Sequence, residues 1–177
     1  MDKIFDGTYE ERQDAIKSVL HLEDNFDIIC RNVVFGGRKT VFYSVDGYLK
    51  GDVIEKILEY GYSISEDDMP DDYHIFLQKF MPFADIKTLT TDEDFITSVL
   101  SGLTCMMVDG YREILAIDLR VFPARNVEEP DKDKVLRGSR DGFVESIVPN
   151  VALIRRRIRD ANLVFRVKKI GRNSQTD

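Results

Sequence analysis

The residues best equipped for chemistry in this chain are basic. Arg155, Arg156, Arg157 and Arg159 stand close together near the C-terminus, and Arg137 and Arg140 precede them. Guanidinium groups stay charged and present planar forks of donors. A cluster of them therefore grips carboxylates, phosphates or backbone carbonyls and does not exchange protons. Successive helical residues are about 100° apart, so three consecutive arginines fan around more than half a helix and at least one must approach the core boundary. Asp118, Glu128, Glu129 and Asp141 are the carboxylates expected to answer them. With Arg137, Arg140 and Glu145 they would form an ion-pair network pinning a loop to a helix. The alternative is a surface for an anionic partner, either phospholipid headgroups or an acidic neighbouring subunit. Nucleic acid is not expected. Only Phe143 supplies an aromatic near the cluster, and 25 Lys+Arg against 32 Asp+Glu leave the chain at a net charge of −7.

Other reactive groupings are weaker. There is no Walker loop, G-x-S-x-G elbow, H-E-x-x-H pair or dinucleotide fingerprint. His21 and His74 have unrelated neighbours, and Cys30 and Cys105 each sit in an apolar run, where a reduced, buried thiol is expected. Gly36-Gly37-Arg38 leads into a second strand and not a helix, so it reads as a turn without the dipole that a phosphate loop needs. The acidic run Glu66–Asp72 lacks the spacing and central glycine of a calcium loop and reads as a solvated surface loop. The expectation is a protein without catalytic residues, cofactor or metal.

These side chains need a scaffold, and 177 residues with 43% hydrophobic and 32% charged composition suffice for one packed domain. Charge is uneven: residues 1–110 carry a net −12 and residues 111–177 a net +5. No apolar run approaches the roughly 20 residues that cross a bilayer. A first helix is expected over about Thr8–Leu22, with Thr8 and Glu11 forming a capping box. Phe26–Phe35 and Thr40–Val45 flank the diglycine as a β-hairpin, and helices follow near Lys50–Tyr60 and around Tyr73–Phe80. Ala84–Leu89 reads as a short strand and Thr91–Leu100 as a helix. Leu103–Val108 and Glu113–Leu119 read as strands joined at Asp109-Gly110, the strongest hairpin signal present. After a polar connection over 123–141, Phe143, Ile147, Val151, Ile154 and Ile158 mark one face of a long helix over about 142–160, with a kink or break expected at Pro149. Leu163–Ile170 reads as a strand. The sum is an α/β fold: a mixed β-sheet with hairpins, packed against several helices including a long C-terminal one.

Arg137-Gly138-Ser139-Arg140-Asp141-Gly142-Phe143-Val144-Glu145, then Asn150, Ala152–Asp160 and Asn162-Leu163, resemble the signature of the GerA spore-germination family. Val127–Asp131, Asp118 with Arg120 and Arg125, Val108-Asp109-Gly110, Phe26-Asp27-Ile28, Gly36–Lys39 and Val45-Asp46-Gly47 fit the same pattern. The likeness spans about residues 25–176 and is most specific over 127–163. The Gly-Ser-Arg-Asp-Gly wording is nearer to the accessory branch of the family than to nutrient-receptor A subunits. Pro149 and Ala161 depart from the usual pattern.

What the resemblance implies goes beyond residue spacing. Family members are proteins of the inner spore membrane whose N-terminal region of two α/β subdomains precedes transmembrane helices. Residues 1–24 would then be an N-terminal helix, 25–162 an α/β subdomain facing the cytoplasm (spore core), and 163–177 the first strand of a truncated following unit. The function implied is non-enzymatic: supporting subunit assembly and coupling to ion release or nutrient response. Partners would be other germination-protein subunits, further copies of the full-length protein, and the membrane through a missing C-terminal region. A small-molecule (nutrient) binding module is the alternative. Arg137, Arg140, Glu145, Arg155, Arg156 and Arg157 are the expected interaction or network residues.

Overall fold

A computed structural model describes residues 3–49, 51–82, 84–120 and 143–172. In chain order the elements are α1 (Tyr9–Val19), β1 (Ile28–Phe35), β2 (Arg38–Val45), α2 (Gly51–Tyr62), α3 (Tyr73–Phe80), β3 (Ile86–Leu89), α4 (Asp92–Leu100), β4 (Thr104–Val108), β5 (Ile114–Ile117) and α5 (Ile147–Arg157). The strands form one sheet in the order β1-β2-β4-β5-β3, and every neighbouring pair is antiparallel. The α/β expectation is met, with an antiparallel sheet in place of a mixed one.

Local chemistry accounts for the element boundaries. Thr8 and Glu11 close the capping box of α1, Asp72 caps α3 and Thr91 caps α4. Gly36 and Gly37 both take positive φ (50° and 75°), which is what a two-residue hairpin turn between Phe35 and Arg38 requires. Side chains alternate across the sheet, and both faces are covered. Val41, Tyr43, Cys105, Met107, Ile114 and Ala116 join the core beneath α1 and α4. Phe42, Met106, Val108, Leu115 and Ile117 join the core beneath α2 and α3. That is why β4 and β5 read as unbroken apolar runs: neither face meets water.

Three expectations are corrected. The β4–β5 pairing ends at Met107 and Ile114, so Asp109-Gly110 lies in a longer connection in which the Tyr111 amide donates to the Val108 carbonyl at 3.1 Å. The extra residues turn the carbonyls of Tyr111 and Arg112 outward from the ladder, where a side chain takes them up. Secondly, α5 is shorter than expected and rotated. Pro149 occupies its first turn, where a backbone donor has no intrahelical acceptor, so the proline opens the helix instead of kinking it. The buried face carries Val151, Ala152 and Arg155, while Phe143 (70% exposed), Ile147 and Ile158 face outward. Thirdly, Leu163–Ile170 joins no strand of the sheet and runs as irregular chain.

Candidate functional site

Arg155 organises the junction between α5 and the sheet. Its side chain is fully buried (0% exposed) at the helix position facing the start of β1. Nε donates to Asp27 Oδ2 at 2.8 Å and Nη2 to Asp27 Oδ1 at 3.0 Å, the two-pronged geometry that suits a guanidinium and a carboxylate. Nη1 donates to the Asp160 carbonyl at 3.1 Å, and the Phe165 ring lies 4.8 Å from Cζ. Asn25 completes the shell. Its Oδ1 accepts from the Phe165 amide at 2.9 Å and from Arg155 Nη2 at 3.4 Å, and its Nδ2 donates to the Leu20 carbonyl at 2.8 Å. The Phe26 amide donates to the Phe165 carbonyl at 3.0 Å, and Arg166 pairs with Asp24 at the rim. Asp27 itself is 1% exposed, so cation and anion are desolvated together.

The helix reaches this position because nothing obstructs it. A Cβ placed on Gly47 (φ +83°) would stand 3.2 Å from Val148 Cγ1 and 3.3 Å from Ala152 Cβ, so α5 lies directly on the Asp46-Gly47 turn. From that turn Tyr48 donates its hydroxyl to the Ala152 carbonyl, and the Asp46 amide donates to the Asp27 carbonyl. One buried side chain thus joins the start of β1, the end of β2, α5 and the segment that follows α5.

Of the six expected network residues, the structure brings only Arg155 into a buried network. Arg137 and Arg140 lie outside the described residues, as do Glu128, Glu129 and Asp141. Glu145 is exposed just ahead of α5, where Asn150 holds both the amide and the carbonyl of Val144. Arg156 and Arg157 are exposed. Asp118 binds Arg120 and not the helix arginines, and this pairing holds the Asp118 carboxyl below the usual carboxylate range. The acidic run is tied up locally: Asp68 with Ser65 and Lys79, Asp71 with Arg38, and Asp72 in its cap.

A second buried arginine escaped the sequence reading. Arg12, 5% exposed, donates from Nε to the Ile4 carbonyl (2.8 Å), from Nη1 to that of Tyr111 (2.7 Å) and from Nη2 to that of Arg112 (2.7 Å). Burial pushes its guanidinium pKa down, and no carboxylate bonds it. It borders an open cleft of about 400 Å³ lined by residues including Phe5, Tyr9, Tyr111 and Arg112. A signal was available for both sites. Arg12 shares the stripe of Tyr9 and Ile16, and Asp27 interrupts the apolar run Phe26–Cys30 as its lone acid.

Comparison with known proteins carries the arrangement into a family. The model of the Bacillus/Clostridium GerA spore germination protein matches residues 14–177. The chain belongs to the GerA spore-germination family. It is 33% identical over 168 residues to stage V sporulation protein AF of Bacillus subtilis (strain 168), covering 94% of this chain and 34% of that protein. It is 34% identical over 101 residues to spore germination protein GerLA of Bacillus cereus, covering 57% of this chain and 20% of that one. The chain therefore spans about a third or less of the length of these relatives. In fold it resembles the N-terminal domain of the A subunit of the Bacillus megaterium spore germinant receptor GerK3. The TM-score is 0.69 at 20% identity, over 94% of this chain and 60% of the other. Among the described residues no helix is long and apolar enough to cross a membrane.

Proposed function

We propose that this GerA-family chain acts as a non-enzymatic coupling domain of a spore inner-membrane germination protein. It faces the cytoplasm, supports subunit assembly and links that assembly to ion release or nutrient response. Residues 163–177 begin the next unit of the same protein on this reading, and 25–162 form the α/β subdomain. The observation that carries the reading is the Arg155 junction: the segment after α5 is tied through Phe165 and Arg166 to Asn25, Phe26 and Asp24. A displacement of that segment cannot leave the sheet untouched, because a buried ion pair tolerates little loss of geometry. The test is Arg155→Lys in the full-length protein within spores, with ion release timed and membrane-fraction protein measured. Slowed release at normal protein level is expected. Normal release from Arg155→Lys and Arg155→Ala alike would sink the proposal.

A second reading, a nutrient-binding module, draws on the cleft beside Arg12, whose volume suits a small ligand. A ligand bound only by the folded state raises the melting temperature. A thermal-shift screen of amino acids and sugars on this chain is expected to show a rise if the cleft is a site, and no rise removes the reading.

A further inference from the structure

The segment following the Arg155 junction carries a surface that the junction does not use. Arg159, Lys168, Lys169 and Arg172 are exposed, and among the described residues none of the four is paired with a carboxylate. Ile158 (49% exposed) and Ile170 (68% exposed) stand among them. Four unanswered cations interleaved with large aliphatic side chains leave two preferences unmet at once: one for diffuse negative charge, one for an apolar phase. An acidic patch on a protein answers only the first. The boundary of an anionic bilayer answers both, with phosphates at the headgroup level and acyl chains just beneath.

The opposite end of the charge distribution agrees with this choice. Residues 1–110 carry a net −12 against +5 for 111–177, so a negative plane attracts one end and repels the other, which gives the domain an orientation. A second copy is a poorer occupant, since many of the acids it would offer are engaged. Glu10 is paired with Lys39, Asp68 with Lys79 and Asp71 with Arg38, and Asp92 accepts the amides of Lys3 and Ile4.

We infer that the segment 158–172 docks on an anionic phospholipid surface, with Arg159, Lys168, Lys169 and Arg172 at the headgroups and Ile158 and Ile170 at the acyl boundary. This inference stands apart from the coupling role and survives its failure. The probe is vesicles of phosphatidylcholine with roughly one-third phosphatidylglycerol, compared with phosphatidylcholine alone, each sedimented with the 177-residue chain. Binding to the anionic vesicles only, reversed by about 0.5 M salt, is expected. Each of Lys168→Gln, Lys169→Gln and Arg172→Gln lowers partition by about fivefold. Ile170→Ser weakens binding while keeping its salt dependence. All these side chains are exposed, and unchanged circular dichroism establishes that the variants fold. Equal binding to neutral vesicles, no binding at low salt, or charge variants that bind as well as the parent would each overturn the inference. So would self-association that the same variants abolish while vesicles stay unbound, because the surface would then belong to a second copy.

Discussion

Two arginines of this domain are buried, and they are accommodated in opposite ways. Arg155 meets a carboxylate as a matched fork, with a ring, a carbonyl and an amide oxygen around it. Arg12 meets three carbonyl oxygens and nothing anionic. At Arg155 the formal charges cancel inside the protein, so geometry is enforced from both sides. At Arg12 the cation is stabilised by dipoles alone beside an open cleft, where water stands ready to replace it. The first arrangement holds elements in fixed relation. The second straps the N-terminal residues and the β4–β5 connection to α1 and is the more replaceable of the two.

The largest expected effect breaks the first arrangement. Asp27→Ala leaves Arg155 buried without its anion, and removing one partner of such a pair costs about 3–5 kcal/mol. Urea unfolding measures it. Arg155→Met combined with Asp27→Leu removes both charges and is expected to recover much of the loss, because a well-packed apolar pair is often as stable as a buried ionic one. If Asp27→Ala costs no more than a surface substitution, about 0.5 kcal/mol or less, the junction does not bear on the fold.

How far the sequence disclosed these sites follows from the range of the forces involved. Caps, the Gly36-Gly37 turn and the apolar runs of β4 and β5 are set by neighbours in the chain, and each was legible. That one of three consecutive arginines must meet the core was also legible, since helical geometry demands it. Its partner was not. Asp27 lies 128 residues away in sequence, and the acids nearest the cluster in sequence were the natural candidates. The rotation of α5 was hidden for a related reason. Its isoleucines outnumber the small residues on the opposite face, yet Ala152 and Gly47 are what permit close approach of helix and turn. Arg12 was hidden more deeply, because backbone carbonyls carry no side-chain signature at all.

A smaller effect is expected at the second arrangement. Arg12→Ala frees three carbonyls, of which those of Tyr111 and Arg112 border the cleft and can be hydrated, so the cost is about 2 kcal/mol, below that of Asp27→Ala. Arg12→Lys sharpens the contrast. A single ammonium cannot span acceptors placed for a planar fork, so lysine recovers little at this site. Unfolding midpoints check both variants, and faster proteolysis of residues 3–7 locates the loosened strap. A loss at Arg12 equal to that at Asp27 would erase the distinction between the two sites.

The smallest expected effect is a difference in which extreme of pH weakens each end. Beside the Arg155 junction, a hydrogen bond from Arg166 holds the Asp24 carboxyl below its ordinary value. A group lowered on folding contributes above its unfolded pKa of about 3.9 and loses that contribution as pH falls through the folded value, so acid loosens this end. Beside Arg12, burial pushes the Tyr9 hydroxyl up to about 12 from 10.0. A group raised on folding contributes fully below its unfolded pKa and loses that contribution as pH rises through the folded one, so the window is pH 10.0 to about 12. Both groups reach solvent, which keeps each effect small. Asp24→Asn is therefore expected to flatten the acid limb of stability against pH and leave the alkaline limb alone, while Tyr9→Phe does the reverse. Urea midpoints taken across both limits test the pair. Were either substitution to flatten both limbs equally, the two ends would be titrating as one unit, and the separation between the anion-matched arginine and the carbonyl-held one would be lost.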